Sequence, residues 1–393
     1  MNTTDIFDKE KKYFLQTYKR IPIEIVSGSG VYLSAKNGDK YLDFMSGLGV
    51  NALGYSHPRI IEAVTKQIKK ISHLSNYFIT DIQTEFADKL LRFSKMDKLF
   101  LTNSGTEAIE GVIKLIRMKF GQDKKIYSLT NSFHGRTYGS LTLTERKNHR
   151  LGFEPLLKNI DYIKFNNIED LKDKVNENTA AIFVEFIQGE GGIQPISNDF
   201  ANEITNLKKE YDFSLVADEI QSGIGRTGKN FTYQHYNVNP DIIVSAKAIG
   251  GGLPLGAFMI KNKLNDILDY GKHGTTFGGN PVCCAAGIAV LDYLSENNLI
   301  SKVDNLSIYF FEKLNNLKEK YPNIIKDIRG KGFMIGIEVN NFANEIVNKF
   351  RDKKIIVNLT ATNVLRLLPP LIMEQKHLDI FLDIFDNILI ELS

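Results

Sequence analysis

Between about residue 100 and residue 260, short apolar runs alternate with helical patterns, and this alternation constrains the chain more than any other feature. The runs Lys98 to Leu101, Lys125 to Ser128, Ala180 to Glu185, Ser214 to Asp218, Asp241 to Ser245 and Gly256 to Ile260 read as strands. Several are apolar on consecutive residues, as strands covered on both faces tend to be. The expected fold class is therefore α/β, with a mostly parallel central sheet in a large domain. Pro58 opens a helix with Ile61, Val64, Ile68 and Ile71 near one face. Helical patterns over Pro281 to Leu294 and Lys302 to Lys320 lead into strands at Phe333 to Val339, Ile355 to Leu359 and Val364 to Leu368, and a last helix from Glu374 to Leu392. The expected division is an N-terminal segment (1–50), a large domain (51–295) and a smaller C-terminal α+β domain (296–393). Within the first segment, Val31 to Leu33 and Tyr41 to Phe44 flank a turn at Asn37-Gly38-Asp39, and the segment is expected to pack with the small domain.

Composition excludes several classes of function. With 49 basic and 46 acidic residues the net charge is only +3, and the basic runs are short, so a nucleic-acid groove is not expected. The two cysteines, Cys283 and Cys284, are adjacent and cannot build a disulfide framework, which suits a reducing compartment. Residues 1–20 hold no apolar core of a secretory signal. No run approaches the roughly 20 apolar residues of a membrane helix. The expectation is a cytoplasmic protein without membrane or nucleic-acid partners, and no metal-ligand pattern stands out.

In α/β sheets, ligands sit beyond the carboxyl ends of the strands, and the chemically loaded residues fall there. After Leu101 comes Asn103-Ser104-Gly105-Thr106-Glu107-Ala108 and then a helix, an arrangement whose backbone N–H groups and dipole suit an anion. One strand delivers Asp218-Glu219-Ile220-Gln221. The next delivers Lys247 among small residues, in Ser245-Ala246-Lys247-Ala248-Ile249-Gly250-Gly251-Gly252. A lone Asp after a strand usually caps a turn. Asp and Lys on successive strand ends say more: a partly desolvated lysine can condense with an aldehyde, and a carboxylate can keep a pyridine nitrogen protonated. Pyridoxal phosphate needs both. A rival reading comes from Gly223-Ile224-Gly225-Arg226-Thr227-Gly228, which fits the dinucleotide-binding G-x-G-x-x-G of a nicotinamide oxidoreductase. The residues that follow, Lys229 to Gln234, lack the apolar stripe of the helix that fingerprint requires.

Over about Tyr18 to Met373 the sequence resembles the class III (subgroup II) aminotransferases of the fold-type I pyridoxal phosphate enzymes. The motifs that carry the resemblance are Tyr41-Leu42-Asp43-Phe44, Gly54-Tyr55-Ser56-His57-Pro58, the turn at 103–108, Phe133-His134-Gly135-Arg136-Thr137, Gln188-Gly189-Glu190-Gly191-Gly192, Asp218 to Gln221, Gly225 to Gly228, the Lys247 segment, and Gly274-Thr275-Thr276-Phe277-Gly278-Gly279-Asn280-Pro281. The resemblance implies that Lys247 carries the cofactor and that Asp218 pairs with its ring nitrogen. It further implies that Gly105 and Thr106 hold the phosphate, joined by Thr276 from the other subunit of a homodimer. Phe133 and Ile220 would cover the two faces of the ring, with Gln221 near its hydroxyl. Arg136 and Thr275 would meet the donor's carboxylate end. Arg366 would clamp the α-carboxylate of glutamate and 2-oxoglutarate, with Glu190 shielding it in the other half reaction; Glu185 ends a strand beside the site. The activity implied is transamination of N-acetylornithine with 2-oxoglutarate, in arginine biosynthesis. Succinylornithine, succinyl-diaminopimelate, ornithine and 4-aminobutyrate remain as other donors. Leu48 stands where a substrate-contacting tyrosine marks the ornithine enzymes, which favours an acylated donor. Phe186 and Ile109 depart from the Pro and Asn common in relatives.

Overall fold

The computed structural model describes residues 5–393; residues 1–4, at the start of the expected N-terminal segment, lie outside the described residues. Its centre is a seven-stranded sheet. In spatial order the strands are Lys98–Thr102, Gly256–Ile260, Ile242–Ser245, Ser214–Asp218, Thr179–Val184, Lys125–Leu129 and Ile160–Ile163. All neighbouring pairs are parallel except those of Gly256–Ile260, which runs antiparallel to both its neighbours. Thr179–Val184, Ser214–Asp218 and Ile242–Ser245 are buried at every position, because helices cover both faces. Consecutive apolar residues follow from that double burial.

The strand Ile160–Ile163 was not among those expected. It lies at the sheet edge and is mostly half-buried, so Asp161 can stand in its middle and the apolar run is broken.

Helix Gly105–Phe120 seals one face with Ala108, Ile109, Val112, Ile113, Leu115 and Ile116. Ser104 caps it, its side chain accepting from Glu107 N at 3.3 Å, and Gly121 ends it at φ 81°. On the other face Pro281–Glu296 packs against Pro58–Lys70 and Asp81–Ser94.

Near the C-terminus, Ile325–Lys331, Met334–Val339, Val364–Leu367 and Asn358–Thr360 form an antiparallel sheet contacted by helices Leu299–Lys320 and Ala343–Asp352, with Gln375–Leu392 packed against both helices. The single strand expected over Ile355 to Leu359 is divided between two sheets. Ile355–Ile356 pairs in parallel with Lys40–Asp43 of the N-terminal segment, and Asn358–Thr360 joins the C-terminal sheet. No described helix is long and apolar enough to cross a membrane.

Candidate active site

Parallel register sets the centre of the site. Asp218 pairs with Val244, so the chain beyond Ser245 emerges beside the Asp218 strand end and turns at Lys247 into a short 3₁₀ segment, Lys247–Gly250. Lys247 holds φ 49°, a left-handed conformation that costs a non-glycine residue on the order of 1–3 kcal/mol. Burial drives its ammonium pKa down from 10.5 to about 8; Arg366 pushes the same way, while Glu190, Asp218 and Glu185 oppose. The amine is thus far easier to deprotonate than a surface lysine.

Asp218 is 4% exposed. Its Oδ1 accepts from Ile220 N at 3.1 Å and its Oδ2 lies 2.7 Å from His134 Nδ1. Burial works against a charged His134, but the hydrogen bond and charge of Asp218 outweigh it, and the imidazole pKa is raised. Glu185 closes this buried group: it accepts from Phe133 N at 2.9 Å and from Gly189 N at 3.3 Å. Burial pushes its pKa up to about 7, with His134 pulling down and Asp218 pushing up.

Gly105 and Thr106, expected at a phosphate, begin helix Gly105–Phe120. The N–H groups of Gly105 and Thr106 find no acceptor among the described residues, as expected for an open helix start. A Cβ on Gly105 would come within 2.6 Å of Ile220 Cδ1, so only glycine lets the helix start and the Ile220 side chain lie together. Thr106 Oγ1 is 2.6 Å from Ser140 Oγ and accepts from Arg136 N at 3.3 Å, tying this turn to the loop that carries Phe133 and Arg136.

On the opposite side Arg366 is 2% exposed, and its Nη1 donates to Glu190 Oε1 and lies 3.5 Å from Gln221 Oε1. Burial alone would raise the Glu190 carboxyl, but the Arg366 charge and hydrogen bond hold it below the usual range. The turn containing Leu48 borders this corner, since a Cβ on Gly49 would be 3.8 Å from Gln221 Cγ. Leu48 itself holds φ 65° and is half-buried.

Asp218, Ile220, Gln221, Gly105, Thr106, Phe133, Glu185, Glu190 and Arg366 are therefore linked through contacts, and Lys247 lies close enough to feel the charges of Arg366, Glu190, Asp218 and Glu185. Arg136 is exposed, its guanidinium 5.5 Å from the centre of the Phe133 ring. Thr275 Oγ1 accepts from Asn103 Nδ2 at 3.3 Å and so abuts the same turn. Thr276 is exposed, and its side chain has no hydrogen-bond partner among the described residues. Phe186 and Ile109 are fully buried core residues and add no polar group to the site.

His134 is the functional neighbour that sequence reasoning passed over. It sits inside a quoted motif, yet its value comes from meeting Asp218, 84 positions away in the chain. A signal was present only in its place: His134 lies directly beside Phe133 in the motif Phe133 to Thr137, although Asn131, Arg136 and Thr137 around it are exposed polar residues.

These residues fit pyridoxal phosphate: an amine with a lowered pKa, a buried carboxylate, a glycine-opened helix start for a phosphate, and a flat aromatic face. The dinucleotide reading fails on local structure, because Gly223–Gly228 is followed by a 3₁₀ turn, Thr232–His235, instead of an α-helix.

Fold and site together define a pyridoxal-phosphate-dependent enzyme of the fold-type I class. The Aminotransferase class-III family model matches residues 13–389, and the chain belongs to that family. It is 42% identical to the acetylornithine aminotransferase of Methanocaldococcus jannaschii, with 100% of both chains covered. It is 43% identical to that of Caldanaerobacter subterraneus subsp. tengcongensis, with 98% of each covered. Among solved structures, the ornithine aminotransferase of Toxoplasma gondii superposes with a TM-score of 0.95 at 28% identity, covering 98% of this chain and 94% of that one. The acetylornithine aminotransferase of Elizabethkingia anophelis gives 0.89 at 31% identity, with 98% of both covered.

Proposed function

We propose that the chain transfers an amino group from N-acetylornithine to 2-oxoglutarate, giving N-acetylglutamate 5-semialdehyde and glutamate, as a step of arginine biosynthesis. The observation that carries this reading is the Arg366–Glu190 pair beside Lys247. A guanidinium can recognise a carboxylate bidentately, and a mobile carboxylate partner lets one pocket serve two kinds of occupant. With 2-oxoglutarate bound, Glu190 yields Arg366 to the acceptor's α-carboxylate. With N-acetylornithine bound, whose reacting amine is remote from its own carboxylate, Glu190 stays and spares a buried unpaired cation. Full-length similarity to acetylornithine aminotransferases of several organisms supports the donor.

Pyridoxal phosphate, when bound, supplies the electron sink for the exchange. Lys247 would hold it, then serve as the base that takes a proton from the amine-bearing carbon of the substrate and returns it on the other side of the exchange. Its lowered pKa suits it to both tasks near neutral pH. Asp218, fixed by His134, would keep the ring nitrogen protonated. Gly105 and Thr106 would bind the phosphate, Phe133 and Ile220 would flank the ring, and Gln221 would lie by its hydroxyl. Arg136 and Thr275 would orient the donor's carboxylate, and Glu185, which accepts from Phe133 N, would border the site. The exposed Thr276 would complete the phosphate site of a second copy, making the working unit a cytoplasmic homodimer with shared sites.

Turnover with N-acetylornithine, N-succinylornithine, ornithine and 4-aminobutyrate, each against 2-oxoglutarate, tests the donor. The highest kcat/KM is expected for N-acetylornithine; a higher value for ornithine or 4-aminobutyrate would overturn that assignment.

A further inference from the structure

The glycine-rich stretch Gly223–Gly228 takes no part in the chemistry above, yet it carries a buried cation. Arg226 is 1% exposed, and its Nη1 donates to the backbone carbonyls of Phe333, at 3.3 Å, and Pro369. Phe333 N donates back to Arg226 O at 2.8 Å. Arg226 Nη2 has no partner among the described residues, and burial lowers the guanidinium pKa with no carboxylate to offset it. A buried charge without a counter-charge is a poor device for stability, and an apolar side chain of similar volume commonly serves a core as well. What Arg226 does provide is a fixed relation between two carbonyls.

Those carbonyls bracket Arg366. Pro369 follows Leu368 at the end of strand Val364–Leu367, which carries Arg366. Phe333 precedes strand Met334–Val339, whose Gly336 pairs with Arg366. The other end of the stretch is tied to the Asp218 strand end. Glu219, the residue after Asp218, accepts from Ser222 Oγ at 2.9 Å, Thr232 N at 2.9 Å and Tyr233 N at 2.8 Å. Gly223 N donates to Glu219 O at 3.0 Å. The docking is close, since a Cβ on Gly332 would lie 2.6 Å from Arg226 O. Residues 219–233 thus form a braced spacer between Asp218 and the strand of Arg366.

We propose that Arg226 is a positioning residue: it sets the place of Arg366 relative to Asp218 and Lys247, so that a dicarboxylate acceptor reaches Arg366 and Lys247 together. This rests on the reading of Arg366 as the acceptor's carboxylate clamp. The donor half reaction, in which Arg366 stays with Glu190, is much less sensitive to that placement.

The test uses the holoenzyme and its Arg226→Met, Arg226→Lys and Arg366→Ala variants. Inhibition by glutarate, a dicarboxylate that cannot react, reports the clamp; KM for N-acetylornithine and the unfolding temperature are measured beside it. Misplacing a binding group by a fraction of an ångström to an ångström predicts that Arg226→Met weakens glutarate about tenfold or more while the donor KM stays within about twofold. Because one nitrogen makes both bonds, Arg226→Lys should recover most of the glutarate affinity. Unchanged glutarate affinity in Arg226→Met, equal losses for glutarate and donor, no recovery in Arg226→Lys, or failure of both variants to fold would each reduce Arg226 to a structural residue and overturn the proposal. Unchanged glutarate affinity in Arg366→Ala would instead refute the clamp itself, and the proposal would fall with it.

Discussion

Removing the Arg366 side chain should separate the two half reactions. Its side chain is 3% exposed and that of Glu190 27%, so the cation is nearly desolvated while its partner retains some contact with water. Truncating one member of a desolvated charge pair typically costs about 2–5 kcal/mol, and the partial exposure of Glu190 argues for the lower part of that range. At about 2–3 kcal/mol, the half reaction with 2-oxoglutarate should slow by about 30- to 150-fold in Arg366→Ala. The half reaction with N-acetylornithine should lose far less, because no donor carboxylate needs to reach Arg366. Single-turnover rates, followed by the cofactor's visible absorbance with donor alone and then acceptor alone, give the comparison. Equal losses in both halves would refute the division of labour.

Asp218→Asn should slow both half reactions by about 100-fold or more while cofactor still binds, since an amide cannot hold the ring nitrogen's proton as a carboxylate does; an unchanged rate would place Asp218 outside the chemistry. Attachment of pyridoxal phosphate to the apoenzyme should accelerate as pH rises through about 8, because only the unprotonated Lys247 amine attacks and burial brings its pKa down to about that value. A stopped-flow midpoint above pH 10 would contradict this. Sedimentation of the active holoenzyme should show a dimer, and a fully active monomer would refute sharing of the site through Thr276.

The doubly covered strands were legible because double burial writes itself as consecutive apolar residues: Thr179–Val184 and Ile242–Ser245 lack polar interruptions apart from their ends. The edge strand Ile160–Ile163 escaped notice because one exposed side permits Asp161 in its middle. The run at Ile355 to Leu359 was legible as extended chain, but its division between two sheets depends on partners at Leu42 and Arg366 that local sequence does not specify. The site follows the same rule. Asp218 and Lys247 could be read from successive strand ends, since parallel register alone brings them together. The bond from His134 to Asp218 and the bracing of Pro369 by Arg226 join distant segments through single side chains, and periodicity carries no trace of such pairs.

Lys247, with its lowered pKa at the strand end beside Asp218, is the residue expected to bear the cofactor. Reducing the holoenzyme with cyanoborohydride, digesting it and sequencing the modified peptide by mass spectrometry tests this directly. The expected result is loss of the visible absorbance and a pyridoxyl-phosphate mass on Lys247, with no such adduct and no transamination in Lys247→Ala. An adduct on any other lysine, or near-normal transamination by Lys247→Ala, would contradict it.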